Sequence, residues 1–261
     1  MALIYLDDLR LNAVLDGPSD GPPLVLIHAL GTDLTIWDGV VARLPRHRIL
    51  RFDLRGHGAS DCPPPPYAMG ALIRDAERLM THAGMTEAVV VGVSLGGLVA
   101  QGLAVKRLDL VRGMVLSNTA AKIGGEALWK ARIAEVADKG LAAYAPGAMD
   151  RIFGRNWQQA PEMPRIRALL ESTRPEGWIG CAEAIAGTDF YTTTATLTLP
   201  TLVIAGANDG TTPPDLVRET AELILGHRWH LMRGAGHLPM VERPDDYAAL
   251  LRDFLASIGH G

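Results

Sequence analysis

VVVGVSLGGLVA, residues 89–100, is the stretch from which the fold can be read. Its first half is a β-branched run typical of a buried strand, and its second half has the Ala/Leu-rich pattern of a helix. Between the two lies the motif Gly92-x-Ser94-x-Gly96. In this context the motif predicts a nucleophile elbow, a tight turn that presents the serine at the C-terminal edge of a sheet. The two glycines let the strand and the helix close on each other because they carry no Cβ.

Apolar runs of strand length alternate with helical patterns on either side of this stretch. A hairpin is predicted over residues 2–6 and 9–15, and a helical stretch should begin at Trp37 and continue to Leu44. Alternation of this kind is typical of an α/β fold with a mostly parallel, doubly wound sheet. The predicted strands that follow the hairpin are 24–27, 49–52, 89–93, 113–119, 200–205 and 228–232, with helices at 72–83, 95–107, 215–225 and 247–258.

Residues 121–189 break the alternation, because they show helical periodicity and no convincing strand. We interpret them as a helical cap inserted into a core formed by residues 1–120 and 190–261. The cap carries Trp129, Trp157 and Trp178, three of the five tryptophans. These side chains could line a pocket or form the core of the cap itself.

Two further residues with catalytic chemistry follow predicted strands. Asp209 comes after the strand at 200–205, and His237 follows the last strand in the sequence Gly-Ala-Gly-His. The order Ser94, Asp209, His237 is that of the α/β-hydrolase triad. The strand before the cap ends in Ser-Asn-Thr at 117–119 and offers no carboxylate, which leaves Asp209 as the acid. His237 is the predicted base, and four other histidines are expected to be exposed or terminal: His47, His82, His227 and His260.

The stabilisation of an oxyanion requires backbone donors near Ser94. The amide of Leu95 lies at the predicted N-terminus of the elbow helix, where the helix dipole favours negative charge. A second amide is expected from the loop after the strand at 24–27, and by position it belongs to Leu30. His28 in the same loop is predicted to have a structural role.

Composition and charge exclude several functional classes. The 261 residues have a formal net charge of −4, which provides no basic surface for nucleic acid or for a membrane. No apolar run reaches membrane-spanning length, and the N-terminus does not resemble a signal peptide. Cys62 and Cys181 match no metal or redox spacing and are predicted to be reduced thiols. We therefore expect a cytoplasmic protein with no cofactor and no metal site; its oligomeric state is left open.

The chain resembles the 3-oxoadipate enol-lactonases of bacterial aromatic catabolism, the β-ketoadipate pathway. Some of the stretches that match this family contain the predicted catalytic and oxyanion residues. Other matching stretches contain none of these residues. The most discriminating one is LSNTAAKIG at 116–124, followed by Trp129 and Arg132. The matching stretches are 28–33, 92–97, 115–124, 206–214 and 234–237.

The resemblance implies hydrolysis of a six-carbon enol-lactone that carries a free carboxylate. A cation near the pocket should then bind this carboxylate, and Arg132 is the candidate, with Trp129 as a pocket wall. Alternatively, Arg132 is a solvated surface arginine. Other functions on the same scaffold are a broad carboxylesterase, a carbon–carbon bond hydrolase, or a non-catalytic receptor for a small ligand.

Overall fold

The computed structural model describes residues 2–154 and 157–261, apart from the side chain of Trp157. Within these residues one sheet of eight strands forms the centre of the molecule. The strands are β1 (Ala2–Tyr5), β2 (Arg10–Asp16), β3 (Pro23–Ile27), β4 (Arg48–Phe52), β5 (Ala88–Val93), β6 (Val111–Ser117), β7 (Thr201–Gly206) and β8 (Arg228–Met232). Their spatial order is β1-β2-β4-β3-β5-β6-β7-β8.

Helices connect most of these strands. Two short 3₁₀ turns, Leu34–Trp37 and Trp157–Gln159, accompany them. The α-helices are α1 (Asp38–Val41), α2 (Met69–His82), α3 (Leu95–Lys106), α4 (Glu126–Phe153), α5 (Met163–Ser172), α6 (Pro175–Ala186), α7 (Tyr191–Thr194), α8 (Pro214–Glu222), α9 (Pro239–Glu242) and α10 (Pro244–Ser257).

The strand order confirms a doubly wound α/β sheet. From β3 the chain first moves outward to β4, and it then returns to the other side of β3 to form β5 and the strands beyond it. Because parallel crossovers are right-handed, this reversal places helices on both faces of the sheet. The crevice at such a switch point is where open α/β sheets bind ligands. Here Ile27 of β3 lies opposite Gly92 of β5.

Burial agrees with the strand patterns in the sequence. Every residue of β5 and of β7 is buried, as expected for strands covered on both faces. The predicted N-terminal hairpin is present as β1 and β2, which pair antiparallel at the sheet edge. The rest of the sheet from β3 to β8 is parallel.

Between positions 121 and 189 the described residues form helices and no strand. The amide of Phe190 donates a hydrogen bond to the carbonyl of Ala121 (2.9 Å), so the segment leaves and rejoins the sheet at nearly the same place. Helix α4 is interrupted at Gly140, whose φ of 74° and ψ of 172° are not helical. We keep the name cap segment for residues 121–189; its limits remain a prediction.

The predicted helices differ from the observed ones at their ends, and the first predicted helix is the clearest case. A helix was expected from Trp37 to Leu44, whereas the first turn begins at Leu34 and α1 ends at Val41. The cause is Asp33, whose side chain accepts a hydrogen bond from the amide of Thr35 and caps the earlier turn. No helix in the described parts of the chain is both long and apolar enough to cross a bilayer.

Candidate active site

Ser94 occupies the strained turn that the sequence predicts. It joins β5 directly to α3 with φ 55° and ψ −117°, a conformation that is unfavourable for a residue with a Cβ. The two glycines of the motif are required by close approach of backbone. A Cβ on Gly92 would lie 2.2 Å from the carbonyl oxygen of Gly96, and one on Gly96 would lie 2.2 Å from that of Ile27. The hydroxyl of Thr119 donates to the carbonyl of Ser94 (2.7 Å) and holds the turn.

Asp209 and His237 form a buried hydrogen-bonded pair. The distance from His237 Nδ1 to Asp209 Oδ2 is 2.8 Å, and both side chains are at most 5% exposed. Asp209 also accepts from the amides of Thr211 and Thr212 and from the Thr212 hydroxyl (2.7 Å). Burial by itself would raise the pKa of Asp209. The charge of His237, and hydrogen bonds that include one from Asn118, outweigh burial and keep that pKa below its usual value.

The predicted serine and histidine face one pocket. Ser94, His237 and Leu30 all line it. Among the described residues no hydrogen bond joins the Ser94 hydroxyl to His237. Contacts between a nucleophile and its base are often long in free enzymes and shorten when substrate binds.

The two predicted substrate-binding residues also line this pocket. The guanidinium of Arg132 stacks 5.0 Å from the centroid of the Trp129 ring, and the indole N–H of Trp129 donates to the carbonyl of Ile123 (2.6 Å). Trp178 contributes a further wall, whereas the side chain of Trp157 lies outside the described residues. The empty space between these side chains, counted together with the part that is open to solvent, is about 570 Å³. Burial lowers the pKa of Arg132 from its ordinary value.

Comparison with known proteins agrees with this architecture. The alpha/beta hydrolase family profile matches residues 24–250. The chain belongs to the alpha/beta hydrolase family. It is similar to 3-oxoadipate enol-lactonase 2 of Acinetobacter baylyi, with 32% identity over 92% of this chain and 91% of that protein. It is also similar to the crystal structure of the enol-lactonase from Burkholderia xenovorans LB400, with 33% identity, a TM-score of 0.94 and coverage of 98% of this chain and 100% of that one.

Another group of curated relatives carries a different name. A pimeloyl-[acyl-carrier protein] methyl ester esterase of Neisseria meningitidis is 28% identical over 89% of this chain and 76% of its own length. The relatives are thus hydrolases of carboxylic esters or lactones. The comparisons confirm the resemblance to enol-lactonases and the fold class.

In this member of the alpha/beta hydrolase family the predicted oxyanion loop is fixed by two buried histidines. His57 Nε2 accepts from the amide of Gly31 (2.9 Å), next to Leu30. His28 Nε2 accepts from the amide of Leu54 (2.8 Å), the structural role expected for His28. Burial, together with the charge of His28, lowers the pKa of His57 to about 3, so its ring is neutral and Nε2 keeps the lone pair that accepts this bond.

The amides of Leu30 and Leu95 are the two predicted oxyanion donors. Leu95 is the first residue of α3, and Leu30 follows β3. Within the described residues neither N–H donates to a backbone carbonyl. Both strands end at the switch point, so both donors stand at the same edge of the sheet as Ser94.

Asn118 was missed as a site residue, because the sequence argument looked only for a carboxylate at this strand end. Its side-chain amide donates to Asp209 Oδ2 (2.8 Å) and to the carbonyl of Gly236 (3.1 Å). It therefore links the loops that carry the predicted acid and the predicted base. Asn118 directly follows β6, and Asp209 follows the neighbouring strand β7. This placement was a signal in the sequence that could have indicated the role of Asn118.

Glu242 was also missed. Its carboxylate accepts from the amide of Gly236 (3.0 Å to each oxygen) and from the amide of Leu238 (3.3 Å), the two neighbours of His237. The side chain thus clamps the loop that carries the base. Burial raises the pKa of Glu242 to about 7 in spite of these bonds. Glu242 follows His237 by five positions, and this spacing alone does not indicate that its carboxylate contacts the loop of His237.

The structure corrects the expectation for two histidines outside the site. His47 and His260, predicted to be exposed or terminal, are only 5% and 6% exposed. His47 Nε2 lies 3.2 Å from the carbonyl oxygen of His260, and His260 Nε2 lies 2.9 Å from that of Pro23. The C-terminal residues therefore pack back onto the loop before β4 and the start of β3.

Proposed function

We propose that the chain is a serine hydrolase that opens 3-oxoadipate enol-lactone to 3-oxoadipate. The observation that carries the proposal is that Ser94, His237 and the Trp129–Arg132 pair line one pocket. The first two residues supply acyl-transfer chemistry, and the pair suits a substrate with a free carboxylate. The relatives named as enol-lactonases support the same substrate class.

The mechanism assigns one role to each residue. His237 removes the proton of Ser94 Oγ as this oxygen attacks the lactone carbonyl, and Asp209 orients the imidazole and stabilises its charged form. The amides of Leu30 and Leu95 stabilise the oxyanion, each by about 3–4 kcal/mol in comparable sites. The ring bond then breaks with its electron pair on the enol oxygen, which takes the proton from His237. The enol released in this way becomes a ketone by tautomerisation, as it loses the proton on oxygen and gains one on carbon.

A second half-reaction releases the acyl group. Water gives a proton to His237 and attacks the acyl carbon, and the bond to Ser94 Oγ breaks as Oγ regains a proton. Arg132 holds the free carboxylate of the substrate throughout, with Trp129 beside it. An enol is a good leaving group, so these protein groups suffice for the reaction.

The second candidate is hydrolysis of a simple or carrier-bound ester, as in the relatives named methyl ester esterases. Arg132 has no carboxylate partner among the described residues, which favours a small anionic substrate over a neutral one. The test is the steady-state turnover of 3-oxoadipate enol-lactone against p-nitrophenyl acetate, with Ser94→Ala as the control for background.

The expected result is a kcat/KM for the lactone several orders of magnitude above that for the ester, with both activities lost in Ser94→Ala. An equal or better ester substrate would refute the lactonase assignment and leave a carboxylesterase. Absence of labelling of Ser94 by a fluorophosphonate probe would instead favour a non-catalytic ligand receptor.

A further inference from the structure

A second arginine lies in the pocket, and the sequence analysis did not identify it. Arg151 lines the same pocket as Arg132, and its guanidinium stacks 5.2 Å from the centroid of the Tyr144 ring. Among the described lining residues there is no aspartate or glutamate. The pocket thus combines aromatic walls with two cations and no fixed negative charge.

Among the described residues neither arginine has a carboxylate partner. Each guanidinium stacks on an aromatic ring, and Nη2 of Arg151 is buried without a hydrogen-bond partner. Burial lowers the pKa of Arg132, and the charge of Arg151 acts in the same direction. Buried donors and charges of this kind are costly unless a ligand pairs them.

The two arginines are anchored differently. Arg151 belongs to the part of α4 after Gly140, and its carbonyl accepts from the amide of Gly210 (2.9 Å), next to Asp209. The carbonyl of the next residue accepts from the amide of His237 (2.7 Å). Arg151 is therefore tied to the loops of the acid and the base, whereas Arg132 belongs to the part of α4 before the break.

Hydrolysis increases the negative charge in the pocket. Water oxygen bonds to the acyl carbon, the bond from that carbon to Ser94 Oγ breaks, and Oγ takes back a proton. The new carboxylic acid then loses its own proton to solvent. A substrate with one carboxylate therefore leaves as a dianion, and the second charge arises at the carbon attacked by Ser94.

We propose that the pocket is a site for short aliphatic dicarboxylates, in which Arg151 binds the carboxylate formed in the reaction and Arg132 binds the one already present. This inference rests on the proposed function and extends it to the product. It makes Arg151 a specificity-determining residue. Free dicarboxylates should compete with substrate, and the corresponding monocarboxylates should compete much less.

The test is direct binding of two ligands that cannot be hydrolysed. Adipate and hexanoate have six carbons each and differ by one carboxylate, and calorimetry on the whole protein gives Kd for both. We expect adipate to bind about tenfold more tightly or better, the gain typical of one hydrogen-bonded charge. Arg151→Met and Arg132→Met should each reduce this ratio to near one.

Two variants serve as controls. Arg167→Met removes an exposed arginine of the cap segment, paired with Glu171, and should leave the ratio unchanged. Arg151→Lys keeps the positive charge but loses the planar guanidinium, and it should retain part of the preference for adipate over hexanoate. This variant still tests the proposal if Arg151→Met does not fold.

The outcomes separate this inference from the proposed function. Equal Kd values for adipate and hexanoate in the unmodified protein would overturn the dicarboxylate site, as would a ratio that Arg151→Met leaves intact. If adipate is preferred through both arginines but the lactone is not turned over, the dicarboxylate site stands and the lactonase proposal fails.

Discussion

Glu242 provides a quantitative test of the electrostatics around the predicted base. Its pKa is raised from 4.5 to about 7 by burial. The folded state therefore binds the Glu242 proton more tightly than the unfolded state. The contribution of this proton to the free energy of unfolding is complete below pH 4.5, falls as the pH rises to 7 and is constant above that.

The magnitude follows from the size of the pKa shift. A rise of roughly 2.5 units corresponds to about 3 kcal/mol at ~1.36 kcal/mol per unit. Glu242→Gln keeps the shape and removes the titration. The free energy of unfolding of the unmodified protein, minus that of the variant, should therefore decrease by about 3 kcal/mol between pH 4.5 and pH 8.

Urea unfolding followed by tryptophan fluorescence measures this double difference, in which titrating groups that do not interact with Glu242 cancel. Glu222→Gln is the matched control, because the Glu222 side chain is 62% exposed and forms only a surface pair with Arg218. Its double difference should stay within about 0.5 kcal/mol. A difference for Glu242→Gln that is constant, or that increases with pH, would refute the reasoning. It would mean that the bonds from Gly236 and Leu238 outweigh burial.

Three further substitutions test the surroundings of the site. Asn118→Ala removes a hydrogen-bond donor to the buried Asp209 carboxylate. Because such a loss costs about 1.5–3 kcal/mol, kcat/KM on p-nitrophenyl acetate should fall at least tenfold. An unchanged kcat/KM would contradict a role of Asn118 in supporting Asp209. His57→Phe leaves the amide of Gly31 without its acceptor, so kcat should fall with little change in KM, and a pure KM effect would argue against an oxyanion role. Gly56→Ala places a Cβ 2.4 Å from the Cα of Gly177 at a φ of 78°. It should lower the melting temperature more than Gly84→Ala, which has φ 61° and no atom within 4 Å, and equal losses would contradict the clash.

The catalytic framework could be predicted from sequence because its signals are local. A β-branched strand, two glycines at fixed spacing and an apolar helix identify the Ser94 turn without any distant contact. Asp209 and His237 follow strands in the same way, and parallel strands bring such residues to one edge of the sheet. The site geometry agrees with this reasoning, although the catalytic roles remain predictions until they are measured.

The residues that were missed act through long-range contacts. Asn118 and Asp209 are 91 positions apart in the chain, and the Glu242 clamp depends on how the loop after β8 folds back. Arg151 reaches the pocket only because α4 breaks at Gly140 and continues to the loops of the acid and the base. The burial of His260 depends likewise on the packing of the chain end. None of these arrangements leaves a periodic pattern in the sequence.

The two carbonyls at the end of α4 bear on how new specificities can be engineered. The cap segment cannot be exchanged as an independent module, because its residues 151 and 152 supply acceptors to the amides of Gly210 and His237. A cap transplanted from another hydrolase would have to carry both carbonyls to the same places, or two amides beside the catalytic loops would lose their partners. Variation before Gly140 carries no such constraint. Libraries that diversify the first half of α4 and preserve its last turn should therefore yield altered substrate ranges with fewer inactive members.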